Sequence, residues 1–257
     1  MNIDSRIPLF KLILGSLVFA WDKRFILLRA LWLPVVLGIS LSFLDSFWGP
    51  GSVGETNENV SGGFGLSYFV VVAMFFITVI ASVRAYRVLL ECEIESEPAI
   101  SWGLSETKFT VAMFGLALIF MFVLAITSTL LMSVLSLLGS SVFLAMLNFI
   151  PAIYVAARLI LVFPEVSNDP SISLTDAFRW SWGVTKGHGL VLMLLAVVFP
   201  LAIALGINWF GQSGFPFSQF IGAILVWLVL PFEVALIALC YSHIRHATDS
   251  SEMESDQ

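Results

Sequence analysis

The 257 residues are 59% hydrophobic and 12% charged, with a formal net charge of −6 and a mean hydropathy of +0.98. A soluble domain carries about 25% charged residues, so a water-soluble globular chain is excluded. The twelve Lys and Arg residues form no basic stripe of the kind a nucleic-acid binder needs, and the apolar runs lack the alternating polar positions of a transmembrane barrel.

The N-terminus resembles a secretory signal, but Lys11 interrupts its apolar stretch and no Ala-x-Ala precedes a cleavage point. Asp4, Lys11, Gly15 and Asp22 are spaced by seven, four and seven, and so share one helical face. Ile7, Leu9, Phe10, Leu12, Ile13, Leu14, Leu17 and Val18 occupy the others. The pattern predicts an in-plane amphipathic helix over residues 5–20.

A span needs about 20 apolar residues to cross ~30 Å of hydrocarbon. Lipid offers the backbone no hydrogen bonds, so a helix is the natural spanning form. The apolar runs place spans near 25–44, 66–83, 109–131, 142–163, 189–208 and 220–241. Residues 109–157 and 189–232 hold no charged side chain, and each stretch suits a helical hairpin. The first outer loop, 48–65, contains the turn formers Gly49, Pro50 and Gly51 and reads as mobile. Its Asn59-Val60-Ser61 matches a glycosylation acceptor, a motif short enough to arise by chance. Trp209, Phe210, Phe215 and Phe217 suit an interfacial aromatic belt at the last outer connection. Residues 1–248 form one polytopic domain, and 249–257 read as a disordered acidic tail.

Every cation falls on one side of this map. Arg6, Lys11, Lys23, Arg24 and Arg29 precede or open the first span, and Arg84, Arg87 and Lys108 lie between the second and third. Arg158 sits in the inner part of the fourth, Arg179 and Lys186 follow it, and Arg245 follows the sixth. Basic residues near membrane ends are retained in the cytoplasm, so both termini are expected there. Asp45, Glu55 and Glu58 on the other side do not oppose this, because topology follows cations.

The inner connections, 84–108 and 164–188, are comparatively polar, and Ser173-x-x-Asp176 is a capping-type helix start. Each carries the same tripeptide, Ser101-Trp102-Gly103 and Ser181-Trp182-Gly183, at an offset of 80 residues that Pro151 and Pro231 share. Trp21 precedes Trp102 by 81. Three copies of one unit would account for this: an in-plane helix, a Trp at the inner surface, then a hairpin out and back. Chance identity between apolar helices is the alternative.

Glu233 is the sharpest chemical candidate. It lies eight residues before the end of the last span, about 12 Å inside at 1.5 Å per residue, where a carboxylate costs roughly 2.5–3.5 kcal/mol. Arg158, also set back from its span's end, is its expected partner. The pair reads either as a proton or ligand site or as an ion pair that fixes helix register. Pro34, Pro151, Pro200 and Pro231 interrupt four spans and each removes a backbone donor. Asn148, about one turn before Pro151, is placed to satisfy a freed backbone group or to bind a polar ligand. Glu233, Arg158 and Asn148 together make a candidate intramembrane polar site.

Cys240, His243 and His246 are spaced by three, but each step falls about 60° short of a full turn, so they do not converge on a metal. Gly187-His188-Gly189 beside Lys186 is placed either to touch a lipid phosphate or simply to start a helix flexibly. No nucleophile with a base and orienter is present, and no cofactor motif.

Arg158-Leu-Ile-Leu-Val-Phe-Pro164-Glu165, followed by Ala177-Phe-Arg-Trp-Ser181-Trp182-Gly-Val-Thr185-Lys186-Gly187, resembles a bacterial inner-membrane family. That family includes the membrane domain of some glycerophosphodiester phosphodiesterases and stand-alone six-span proteins. Its motif positions correspond to Arg158, Pro164, Ser181, Trp182, Thr185 and Gly187. The resemblance is specific over about thirty residues and compositional elsewhere. It implies a multi-span α-helical protein of the inner plasma membrane. The phosphodiesterase's catalytic barrel has no counterpart here, so the resemblance does not imply its activity.

The expected fold is therefore an all-α integral membrane protein, six transmembrane helices as three hairpins with in-plane amphipathic helices on the cytoplasmic side. The expected function is that of a non-enzymatic multi-pass inner-membrane protein that contacts membrane lipids or a membrane-protein partner. The alternative is a small-molecule transporter or channel subunit using Glu233 and Arg158. No cofactor, metal or nucleic acid is expected.

Overall fold

The computed structural model describes residues 9–48, 63–90, 100–138, 147–213, 215 and 217–255. Among them every regular element is helical: α1 (Leu9–Asp22), α2 (Arg24–Trp48), α3 (Gly63–Leu89), α4 (Leu104–Leu138), α5 (Phe149–Leu159), α6 (Val162–Asn168), α7 (Leu174–Val184), α8 (Gly189–Met193), a π-helical turn (Leu194–Val198), α9 (Phe199–Gly211) and α10 (Ser218–Ser255). Among the described residues six stretches are long and apolar enough to cross a membrane: Arg24–Ser42, Phe69–Leu89, Leu104–Leu131, Phe149–Asn168, Gly189–Gly211 and Phe220–Ala247. The chain is an all-α multi-pass membrane protein. Sequential partners pack as hairpins, α2 on α3, α4 on α5 and α9 on α10.

The boundaries depart from the sequence expectation mainly at the basic end. The second span continues through Arg84 and Arg87 to Leu89, and the fourth continues through Glu165 to Asn168. Arg84 reaches the Ser101 hydroxyl at 3.4 Å, and Tyr241 and Arg245 take up Glu165. The fourth span also breaks at Ile160–Leu161, between α5 and α6. Pro164 lacks the N–H that would bond the Ile160 carbonyl, and its ring crowds that carbonyl. The Ile160 carbonyl accepts from Phe163 N instead, at 3.3 Å. Residues 249–255, expected as a disordered tail, continue α10. No Gly or Pro follows Pro231 to stop it, and extending an established helix is far easier than starting one. The first outer loop and the first eight residues lie outside the described set, apart from Trp48 and residues 63–65.

The core gathers at the end of the bundle that holds the cations. Val79, Ala81, Val83, Ala85 and Val88 of α3 meet Val234, Ala235, Leu236, Ala238 and Cys240 of α10, with Ala157, Leu161, Leu192 and Leu195 beside them. Small residues let the backbones approach, which is how helices associate where lipid competes equally for apolar surface. At the opposite pole α9 buries none of its residues.

Helix α1 lies along α10 and has three faces. Leu12, Ile13, Phe19 and Ala20 pack on the core, and Ser16 between them is fully buried. Phe10, Leu14, Leu17, Val18 and Trp21 form an exposed apolar strip. Lys11 and Asp22, both exposed, make a narrow polar edge with Gly15, as their spacing predicted. The guanidinium of Arg24 closes the helix by donating to the Trp21 carbonyl at 2.9 Å and stacks 4.8 Å from the Trp21 ring.

Candidate functional site

Two polar clusters sit within the packed end. The first forms where the α5–α6 junction meets α7. Ser173 starts α7 as an N-cap, its hydroxyl accepting from Asp176 N at 3.1 Å, as the Ser-x-x-Asp spacing predicted. The helix then presents Ser181, Trp182 and Thr185 to Arg158. The Arg158 carbonyl accepts from the Ser181 hydroxyl at 2.8 Å. The Thr185 hydroxyl has one proton to give. It lies 2.7 Å from the Ser181 carbonyl and 3.2 Å from that of Arg158.

The Arg158 side chain folds back onto the same helix. Its Nε donates to Thr185 Oγ1 at 3.3 Å and its Nη2 donates to the Trp182 carbonyl. The guanidinium lies 3.8 Å from the centroid of the Trp182 ring. Arg158 is only 9% exposed, while Ser181 and Thr185 are fully buried. Gly187 then turns the chain at φ +92, a backbone conformation that suits glycine, and leads into Gly189, which packs against the Tyr154 ring. Each of the six motif positions thus has a local physical reason. Pro164 breaks the fourth span, Arg158, Ser181, Trp182 and Thr185 latch the junction to α7, and Gly187 turns the chain into the fifth span.

The second cluster ties α6 to α10. Tyr241 donates to Glu165 Oε2 at 2.6 Å, Arg245 Nη1 donates to the same oxygen at 3.0 Å, and Arg245 also donates to the Tyr241 hydroxyl. The Trp180 ring of α7 packs 5.5 Å from that of Tyr241, so the two clusters share α7. Glu165 lies within the Arg158–Gly187 stretch with no role legible from its sequence context, and no pattern marks Tyr241. One signal was available, since Glu165 and Arg245 stand 80 residues apart, the offset of the paired Ser-Trp-Gly tripeptides.

The three residues of the intramembrane candidate site do not share contacts. Among the described residues Arg158 forms no ion pair with Glu233, and its donors go to α7. Glu233 is half-buried, beside Val234 and Ala235, which pack in the core with α3. Asn148 belongs to the α4–α5 hairpin, where its side-chain amide donates to Ser128 Oγ at 2.6 Å and its backbone carbonyl accepts from Thr127 Oγ1 at 3.2 Å.

The two Ser-Trp-Gly copies are alike in exposure and different in detail. Trp102 and Trp182 are each 43% exposed. Trp102 lies just before α4, packs 5.0 Å from Phe76 and donates to Thr107 at 3.0 Å, whereas Trp182 lies inside α7. In both, an arginine from the preceding hairpin reaches the tripeptide, Arg84 to the Ser101 hydroxyl at 3.4 Å and Arg158 to Trp182. Among the described residues no group of three His, Cys, Asp or Glu side chains converges as a metal site. No protein family, curated protein or solved structure matches the chain.

Proposed function

We infer that this chain is a non-enzymatic protein of a bacterial inner membrane, with both termini cytoplasmic, that organises lipids or membrane partners at its basic face. The carrying observation is α1. A helix bound to the bundle on one side, apolar on the next and edged by Lys11 and Asp22 fits a position in the plane of the membrane interface. The Trp21–Arg24 stack and the half-exposed Trp102 and Trp182 suit the same level, since indole favours the headgroup region. The likeness of the Arg158–Gly187 stretch to six-span inner-membrane proteins points the same way. Electron spin resonance in bilayers tests the reading. Spin-labelled phosphatidylglycerol should be motionally restricted by the protein in larger proportion than spin-labelled phosphatidylcholine, and equal proportions would remove its support.

A transporter or channel subunit is the second reading. The observation that favours it is Glu233, half-buried two residues after Pro231 and without a hydrogen bond or ion pair among the described residues. Ionisable groups so placed commonly mark ion or proton paths.

A further inference from the structure

We propose that Arg158 and Lys186 hold the phosphate of an anionic phospholipid, which serves as the counter-ion that the protein itself does not supply. The proposal rests on the lipid-contacting reading above and names the site and the headgroup chemistry. Arginine keeps its charge in proteins, and a buried charge is costly unless paired. Arg158 is 9% exposed, yet among the described residues the ion pairs are Arg179 with Asp176 and Arg245 with Glu165, and none involves Arg158. Its partners are a hydroxyl, a carbonyl and a ring face, all neutral. The carbonyl end of α7 adds a partial negative charge of about one half. That orients the guanidinium without neutralising it.

The geometry leaves one edge of the fork for a ligand. Nε and Nη2 are turned onto α7, while Nη1 has no hydrogen-bond partner among the described residues and is not sealed from the surface. The depth is set by α7, because the guanidinium is held at Trp182 to Thr185, a few residues before the fifth span begins at Gly189. Arg158 itself lies midway along the fourth span, Phe149–Asn168, but its fork reaches the residues that lead into the fifth span, where the proposal places the headgroups. Lys186 is exposed in the turn that follows, Trp182 is half-exposed, and Leu190 is exposed just inside the span. Along the chain a second cation and then an exposed apolar residue follow the segment that holds the fork, the order that a phosphate above acyl chains calls for. A planar guanidinium recognises phosphate by charge-assisted hydrogen bonds, and lysine adds a point charge beside it.

The test is lipid binding to the full chain in detergent, read by native mass spectrometry and by thermal unfolding. The probes are dioleoylphosphatidylglycerol, dioleoylphosphatidylcholine and inorganic phosphate at matched ionic strength. The expected result is one tightly retained phosphatidylglycerol per chain, with a higher Tm than phosphatidylcholine gives and no rise with inorganic phosphate. Arg158→Lys keeps the charge and loses the fork, and should weaken that binding about tenfold. Lys186→Gln is exposed and leaves the latch intact, so it should weaken binding about fivefold without altering the lipid-free Tm, and it decides the matter if Arg158→Lys does not fold. Equal affinity in wild type and Lys186→Gln overturns the site. A rise in Tm with inorganic phosphate that matches phosphatidylglycerol overturns the lipid as its source. General enrichment of anionic lipid that ignores both substitutions defeats this site and leaves the broader reading standing, whereas no enrichment at all defeats both.

Discussion

Gly38 of the first span lies directly against the indole of Trp227 in the last. A methyl group at Gly38 would stand 1.9 Å from Cζ2 of the ring and 2.2 Å from Cε2, far inside any van der Waals contact. Trp227 is buried, and among the described residues its ring N–H has no acceptor. The indole is therefore held by shape. Here the absence of a side chain brings α2 and α10 together, as small residues do between membrane helices.

Gly38→Ala should destabilise the protein by about 1–3 kcal/mol, the range of overpacking in a close-packed interior. Thermal unfolding in detergent measures it. The loss should shrink when Trp227→Leu is introduced as well, because the shorter side chain clears the methyl. Additive losses in the double substitution would show that the two residues do not touch.

The Glu165 cluster should respond asymmetrically. Tyr241→Phe removes the hydroxyl's bond to Glu165 and its acceptance from Arg245 but leaves the Glu165–Arg245 pair, and the lost bond to the carboxylate costs about 1.5–3 kcal/mol. Arg245→Gln leaves the carboxylate of Glu165, whose side chain is 7% exposed, without its cation, and removal of one partner of a buried pair costs about 3–5 kcal/mol. Glu165→Gln should cost less than Arg245→Gln, because the Arg245 side chain is 43% exposed and can turn to water. Melting temperatures of the three variants in one detergent give the order, and a reversed order of the two charge removals would refute it.

The spans were legible because runs without charge have one physical explanation in a chain this apolar. Their ends at the basic side were not, because Arg84 and Glu165 read as loop residues until their tertiary partners are known. The candidate site fared similarly. Depth along a helix marked Glu233 and Arg158 as set back from the surface, but depth does not say which way a side chain faces, and Arg158 faces α7. The motif around Ser181 was legible as a pattern, and its latch geometry was not, since it depends on the helix break that Pro164 makes one element away. Nothing in the sequence paired Gly38 with Trp227.

Asp169 offers a pH-dependent check outside the spans. Its carboxylate accepts from the Ser171 hydroxyl at 2.6 Å and from Ser171 N at 2.8 Å, and these bonds, with smaller help from Ile172 and Lys108, hold its carboxyl below the usual aspartate range. A depressed folded-state pKa contributes stability that is present above the unfolded value and lost as pH falls through the folded one. Asp169 is exposed, so the contribution is small and the titration itself is the better readout. Carboxyl carbon NMR should place its midpoint below that of the unfolded chain, and Ser171→Ala should move it upward. A midpoint unmoved by Ser171→Ala would dismiss the hydrogen bonds as the cause.

Glu233 separates the two functional readings. Gln keeps the shape of the side chain and removes the ionisable group. Among the described residues Glu233 has no ion pair or hydrogen bond to lose, so Glu233→Gln should leave the melting temperature in detergent unchanged or raise it, because an unpaired carboxylate in the membrane is costly. A fall of several degrees would mean that the carboxyl group holds helix register through a contact outside the described residues. With stability kept, proteoliposomes carrying an internal pH-sensitive dye give the second half of the test. A proton flux present in the wild type and abolished by Glu233→Gln would carry the transport reading past the lipid-organising one. Equal dye responses in the wild type, the variant and empty liposomes would leave Glu233 as a tolerated polar group on a helix whose sequence is fixed by its packing against α3.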